Sequence, residues 1–196
     1  METYFEKNGY TLVKNALPEY VLQYVQINYD ILEQAMLHYN PPTEDNLYPY
    51  LDNMCPANFS VYSPIFSDAL LRFMRPVISE ITGKNLVESY SYARTYYYAS
   101  CLQIHKDRPS CEYSATLCIE KDIDWPIYFT DFNDKKIEIE LNDGDLIVYQ
   151  GTKLDHWRDL YTGKRHRQVF LHYVDANGEY ARDHKFDGRD MLGLIS

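Results

Sequence analysis

From Leu86 onward the chain is a succession of short β-rich runs separated by turn residues, and this alternation constrains the fold more than any other feature. The runs cover Ser89 to Tyr98, Tyr113 to Ile119, Ile127 to Phe132, Lys136 to Leu141, Asp145 to Tyr149 and Gln168 to Val174. Short strands at such spacing predict a sandwich or jelly roll. Upstream, Gly9 to Val13 reads as a short strand. A helix is expected from Pro18 to about Leu37, because Val21, Leu22, Val25, Leu32, Ala35 and Met36 recur at intervals of three and four. Pro41-Pro42-Thr43-Glu44-Asp45 then opens a long polar loop. A second helix is expected from Phe66 to Ile81, starting near Ser63-Pro64 or Ser67 and closed by Gly83, with a kink or interruption at Pro76. The reading is one domain over 1–196: a helical part to about 85, a β-core over about 86–175 and a tail over about 176–196.

With 196 residues there is enough chain to bury a sizeable core. A net charge of -10 argues against a surface that tracks nucleic-acid phosphates, which needs a basic stripe. No apolar run approaches the length of a membrane span, and Met1-Glu2-Thr3-Tyr4 does not read as the start of a signal peptide. Cys55, Cys101, Cys111 and Cys118 contain no C-x-x-C pair, which disfavours structural zinc and fits a reducing compartment. A soluble, cytoplasmic protein is the expectation. The 20 tyrosines are mostly accounted for as strand-forming aromatics on half-buried sheets.

Within the β-rich part, His105-Lys106-Asp107 and the distant His156 are the right residue types for a two-histidine, one-carboxylate site that holds Fe(II) on one face and leaves the other open. In an extended stretch alternate side chains share a side, so His105 and Asp107 reach one ion together. The second histidine has to come from another strand. His156 follows Gly144-Asp145 and the apolar run Leu146-Ile147-Val148-Tyr149, a turn signal and then a strand. Asp155 stands beside it as a candidate acceptor for its ring. His38, His166, His172 and His184 are assigned no metal.

This region, from about Tyr90 to Asp175, resembles the Fe(II)- and 2-oxoglutarate-dependent oxygenases of the prolyl-hydroxylase and phytanoyl-hydroxylase-like branches. Their H-x-D…H pattern matches His105, Asp107 and His156. The resemblance implies a double-stranded β-helix with N-terminal helices packed outside, the three ligands at its open end, and a basic residue about ten positions after the second histidine that pairs with the distal carboxylate of 2-oxoglutarate. Gly163-Lys164-Arg165-His166-Arg167 falls in that window, and Arg165 and Arg167 are both candidates. A guanidinium suits the task, since its planar donors match a carboxylate in a bidentate way. Arg94, Arg108 and Arg158 are lesser candidates. By the same resemblance Tyr96 and Thr116 are contacts to 2-oxoglutarate. Two positions depart from the family: Ala99 replaces a usual glycine, and Leu102 a usual tyrosine.

What the resemblance implies is a hydroxylase that uses Fe(II), 2-oxoglutarate as co-substrate and O2 to act on a C–H bond of a prolyl peptide or small molecule. No nucleic acid or membrane is expected as partner. Two other classes remain beside it: a cupin-like metal enzyme that uses no 2-oxoglutarate, and a non-catalytic binding module on the same fold.

Overall fold

A computed structural model describes residues 3–194. Helix α1 (Tyr4–Asn8) is opened by a Thr3/Glu6 capping box and closed by Gly9 in the left-handed region at φ 79°. Strand β1 (Tyr10–Val13) follows, then α2 (Glu19–Tyr39), β2 (Asn58–Tyr62) and α3 (Ile65–Thr82). The remaining strands are β3 (Leu86–Tyr97), β4 (Leu102–His105), β5 (Tyr113–Lys121), β6 (Ile127–Thr130), β7 (Lys136–Ile139), β8 (Leu146–Tyr149), β9 (His156–Arg158) and β10 (Arg165–Asp175). A short helix α4 (Ala181–His184) lies in the C-terminal segment.

The strands form two antiparallel sheets, one ordered β1-β8-β5-β10-β3-β2 and the other β4-β9-β6-β7. The fold is thus mainly β, jelly-roll-like, with helices outside. Both edges of the larger sheet are supplied by the N-terminal part, which the sequence had suggested would be mostly helical. β2 arises within the stretch expected to be a polar loop. Asn58 bonds to Asp52 and accepts from Ser60, while Phe59 and Val61 alternate with them toward the core, an alternation confined to five residues and easily lost in a polar stretch. Helix α3 runs unbroken through Pro76, against the expected interruption. Leu70, Leu71, Met74 and Ile78 are buried against the sheet, and that packing offsets the backbone bond the proline cannot donate.

Two apolar layers follow from the alternation of each strand. On the outer face of the larger sheet, Ala93, Ala115, Leu117, Val169, Leu171 and Tyr173 pack under α2 and α3. Between the sheets, Cys118, Ile147 and Tyr149 meet Ile127, Phe129 and Ile139. The space between the sheets holds a cavity. No helix among the described residues is long and apolar enough to cross a membrane.

Candidate metal centre

β4 and β9 pair with His105 directly opposite His156, which sets the two imidazoles side by side with ring centroids 4.2 Å apart. Each ring is fixed by its own main chain: His105 Nδ1 lies 2.8 Å from the Gln103 carbonyl and His156 Nδ1 3.1 Å from the Leu154 carbonyl. With Nδ1–H donated there, both Nε2 atoms keep their lone pairs. They point at one oxygen, Asp107 Oδ1, at 3.6 and 3.5 Å. Asp155 has no part in this: it reaches Lys106 at 3.9 Å while the Leu154 carbonyl takes the place expected for it. Two neutral imidazole nitrogens and one carboxylate on a common side suit Fe(II). Burial lowers the His156 pKa below 6.5, which keeps that ring neutral and free to ligate.

The other oxygen of Asp107 accepts from Ser114 Oγ at 2.9 Å, and its backbone N–H donates to the Gly151 carbonyl at 2.9 Å. Gly151 backs directly onto the carboxylate. A Cβ there would collide with the Cys111 carbonyl oxygen and Asp107 Oδ2. Gly151→Ala is therefore expected to displace Asp107 and lower metal affinity by about tenfold or more, in the range of lost supporting contacts. Titration calorimetry with a divalent metal checks this. Asp107, Cys111 and His172 also come within reach of one another. Burial drives the Cys111 thiol well above 9, so at neutral pH it is a protonated partner of Tyr90 at 3.1 Å, a poor metal ligand.

The three donors open on a cavity of about 450 Å³ between the sheets. Arg158, two residues beyond His156 on β9, lines it and is only 2% exposed. One end of its guanidinium donates to the Trp125 carbonyl and its plane lies 4.6 Å from the Trp125 ring, but Nη2 has no partner. A buried donor left unpaired costs stability unless something binds it. Burial lowers the Arg158 pKa, against the pull of Tyr96, Cys118 and Tyr149. Tyr96 also lines the cavity, with its hydroxyl accepting from Arg94 Nη1 at 3.4 Å. Thr116 is fully buried without lining the cavity, and its hydroxyl is likewise unpartnered.

Arg165 and Arg167 are elsewhere. They share a face, as their parity requires, but it is the outer one. Arg165 Nη2 reaches Glu120 at 2.6 Å, and Arg167 is enclosed by Asp30 at 2.6 Å, Glu120 at 3.1 Å, Glu33, and the ring of Tyr29. The lumen side of β10 carries His166, Gln168, Phe170 and His172 instead. His166 therefore occupies the position where the resemblance implies a base. Burial and the charge of Arg158 hold its pKa well below 6.5, so it is neutral, and its Nδ1 is unpartnered. The signal that separates the faces is polarity. Val169, Leu171 and Tyr173 share the parity of Arg167 and belong under the helices, so the polar register belongs to the lumen. Removing the Arg167 side chain (Arg167→Ala) strands the buried Glu33 and is expected to cost about 3–5 kcal/mol of stability. Urea unfolding measures that loss, and 2-oxoglutarate affinity should not follow it.

Ala99, the replaced glycine, sits at φ 69°, in the left-handed region that favours glycine.

No family model matches the chain, and no curated protein matches it in sequence. Solved structures do match. A prolyl-4-hydroxylase from Pseudomonas putida aligns over 87% of this chain and 95% of its own, with TM-score 0.66 and 14% identity. HygX from Streptomyces hygroscopicus, solved with nickel, 2-oxoglutarate and hygromycin B, aligns over 88% and 85%, with TM-score 0.64 and 12% identity. A prolyl hydroxylase from Trichoplax adhaerens, in complex with a hypoxia inducible factor oxygen degradation domain peptide fragment, aligns over 91% and 88%, with TM-score 0.68 and 11% identity. The chain has the fold of the Fe/2-oxoglutarate-dependent oxygenases.

Proposed function

We propose that this protein is a single-domain Fe(II)- and 2-oxoglutarate-dependent oxygenase, on a double-stranded β-helix, that hydroxylates a C–H bond. The observation that carries the reading is the pairing of two things in one cavity. His105, Asp107 and His156 offer three free metal donors on one side, and the unpartnered guanidinium end of Arg158 lies two residues along the same strand. The metal donors alone would also fit a cupin-like enzyme. The buried, unpaired cation favours an anionic co-substrate beside the metal.

With Fe(II), 2-oxoglutarate and O2 bound, such a centre supplies the oxidising power to turn C–H into C–OH, with succinate and CO2 as by-products. The chain's own residues prepare for this. Gln103 and Leu154 carbonyls lock the imidazole tautomers, and Ser114 holds the far oxygen of Asp107 so that the near one faces the metal. Arg158 takes the role expected of Arg165 or Arg167, binding the distal carboxylate from β9, in the sheet opposite β10. The Trp125 ring under its planar guanidinium keeps it aligned and dry. Tyr96, beside Arg94, closes that end of the cavity, and Thr116 lies on the same inner face.

Succinate formation tests the proposal: Fe(II)-loaded protein in air should convert 2-oxoglutarate to succinate slowly without substrate, and Asp107→Ala should not. Metal-dependent turnover of another compound with no consumption of 2-oxoglutarate would favour the cupin-like reading instead.

A further inference from the structure

On the larger sheet, across the cavity from β4 and β9, five rings from three adjacent strands form one wall: Tyr62 of β2, Tyr90 and Tyr92 of β3, Phe170 and His172 of β10. Tyr62 stacks on Tyr90 with centroids 5.1 Å apart, and Tyr90 lies 4.5 Å from His172. Phe170 is parallel to His172 within 4°, and Tyr92 lies 6.5 Å from Phe170.

The polar ends of this wall are already engaged. Tyr92 donates to Asp52 at 2.6 Å, Tyr62 to Asp187 at 2.7 Å, and Tyr90 bonds the Cys111 thiol. The cations beside it are neutralised as well, Arg94 by Asp52 at 2.6 Å and Arg108 by Asp187 at 2.7 Å. Burial favours the neutral acid at Asp187, but hydrogen bonds from Arg108, Ser110 and Tyr62 outweigh it and hold the carboxyl down at about 2. His172 is neutral: burial pushes it down to about 4. Lys106, at the rim, leans toward Asp155. Even the cation-π sites are filled from within, Arg94 lying 5.2 Å from the Tyr92 ring and Arg108 4.6 Å from that of Tyr90. What the wall still offers is ring surface.

We propose that the substrate of this site is an uncharged, planar ring compound that stacks on the wall of Tyr62, Tyr90, Tyr92, Phe170 and His172, opposite the metal ligands. What is done to that compound rests on the oxygenase reading above; its binding does not. A charged group would shed water against a surface whose own charges are already paired, and that desolvation is uncompensated. Offset stacking gains from every ring it covers. The cavity has room for a small ring system next to a small diacid, in the usual range for ligand sites.

The test is calorimetry on Zn(II)-loaded protein, which cannot turn over, using 2-naphthol, tryptamine and an end-blocked prolyl peptide, each with and without saturating 2-oxoglutarate. 2-Naphthol should bind at least about tenfold more tightly than either other probe in both conditions. Tyr92→Ala should weaken it about fivefold or more, whereas Tyr62→Phe, which keeps the ring and loses only the hydroxyl, should stay within about twofold. Tighter binding of tryptamine or the peptide overturns the proposal, as does an unchanged 2-naphthol affinity in a folded Tyr92→Ala protein. Separate titration with 2-oxoglutarate tells the two readings apart: if the diacid fails to bind, the oxygenase reading falls, and the 2-naphthol comparison made without it still decides the ring proposal.

Discussion

Replacing Asp107 by alanine should reduce Fe(II) affinity by more than about a hundredfold, exceeding the loss from removing a supporting residue. Asp107 Oδ1 is the point on which both imidazole Nε2 atoms converge, and it is the only carboxylate in that group. Without it, two neutral nitrogens remain and the site carries no negative charge to offset the ion. Anaerobic calorimetry reads the loss, with circular dichroism to establish that the sheets are intact. The same geometry fixes the sign of the pH effect at His156. Burial lowers its pKa, so the ring is neutral at pH 6.5 and above, and proton competition through it sets in only in more acidic solution. Retained affinity in Asp107→Ala would remove this residue from the ligand set.

Arg158→Gln should be the second large effect, acting on 2-oxoglutarate rather than on iron. Removing one partner of a buried ion pair costs about 2–5 kcal/mol, a loss of about thirtyfold to several thousandfold in affinity. Glutamine keeps part of the volume and a polar end without the charge, and circular dichroism checks that the strand holds its place. Metal affinity should be unaffected. Arg165→Gln is the comparison: its side chain lies outside the cavity on Glu120, and 2-oxoglutarate affinity should match that of the parent. The reverse pattern, loss at Arg165 and none at Arg158, would restore the assignment drawn from spacing.

Much of the fold was legible before any coordinates because its signals are local. Alternation and turn residues mark β3, β5, β6, β7, β8 and β10 to within a few residues, three-and-four spacing marks α2, and a start near Ser63-Pro64 or Ser67 with Gly83 at the end marks α3. The meeting of His105 and Asp107 was legible too, since H-x-D in an extended stretch leaves little freedom, and His156 joins them from the next strand. β4 and β9 were not, because at four and three residues they are too short for a pattern and exist only by pairing with each other and with β6. The basic residue failed for a different reason. Parity says that Arg165 and Arg167 share a side, but which side faces the cavity depends on the helices, and α2 supplies the carboxylates that hold Arg167 outside. Arg158 was visible as a residue, yet its burial between Trp125 and the cavity depends on contacts across 33 positions of chain.

On the proposed reading, metal and 2-oxoglutarate meet in one cavity, held by His105, Asp107, His156 and Arg158. Anaerobic titration of the Fe(II)-loaded protein with 2-oxoglutarate reads this meeting through the visible metal-to-ligand charge-transfer band expected by family resemblance. A saturable band in the parent and in Arg165→Gln, absent in Arg158→Gln at the same concentrations, is the expected result. Iron binding with no band at any concentration of 2-oxoglutarate would contradict it.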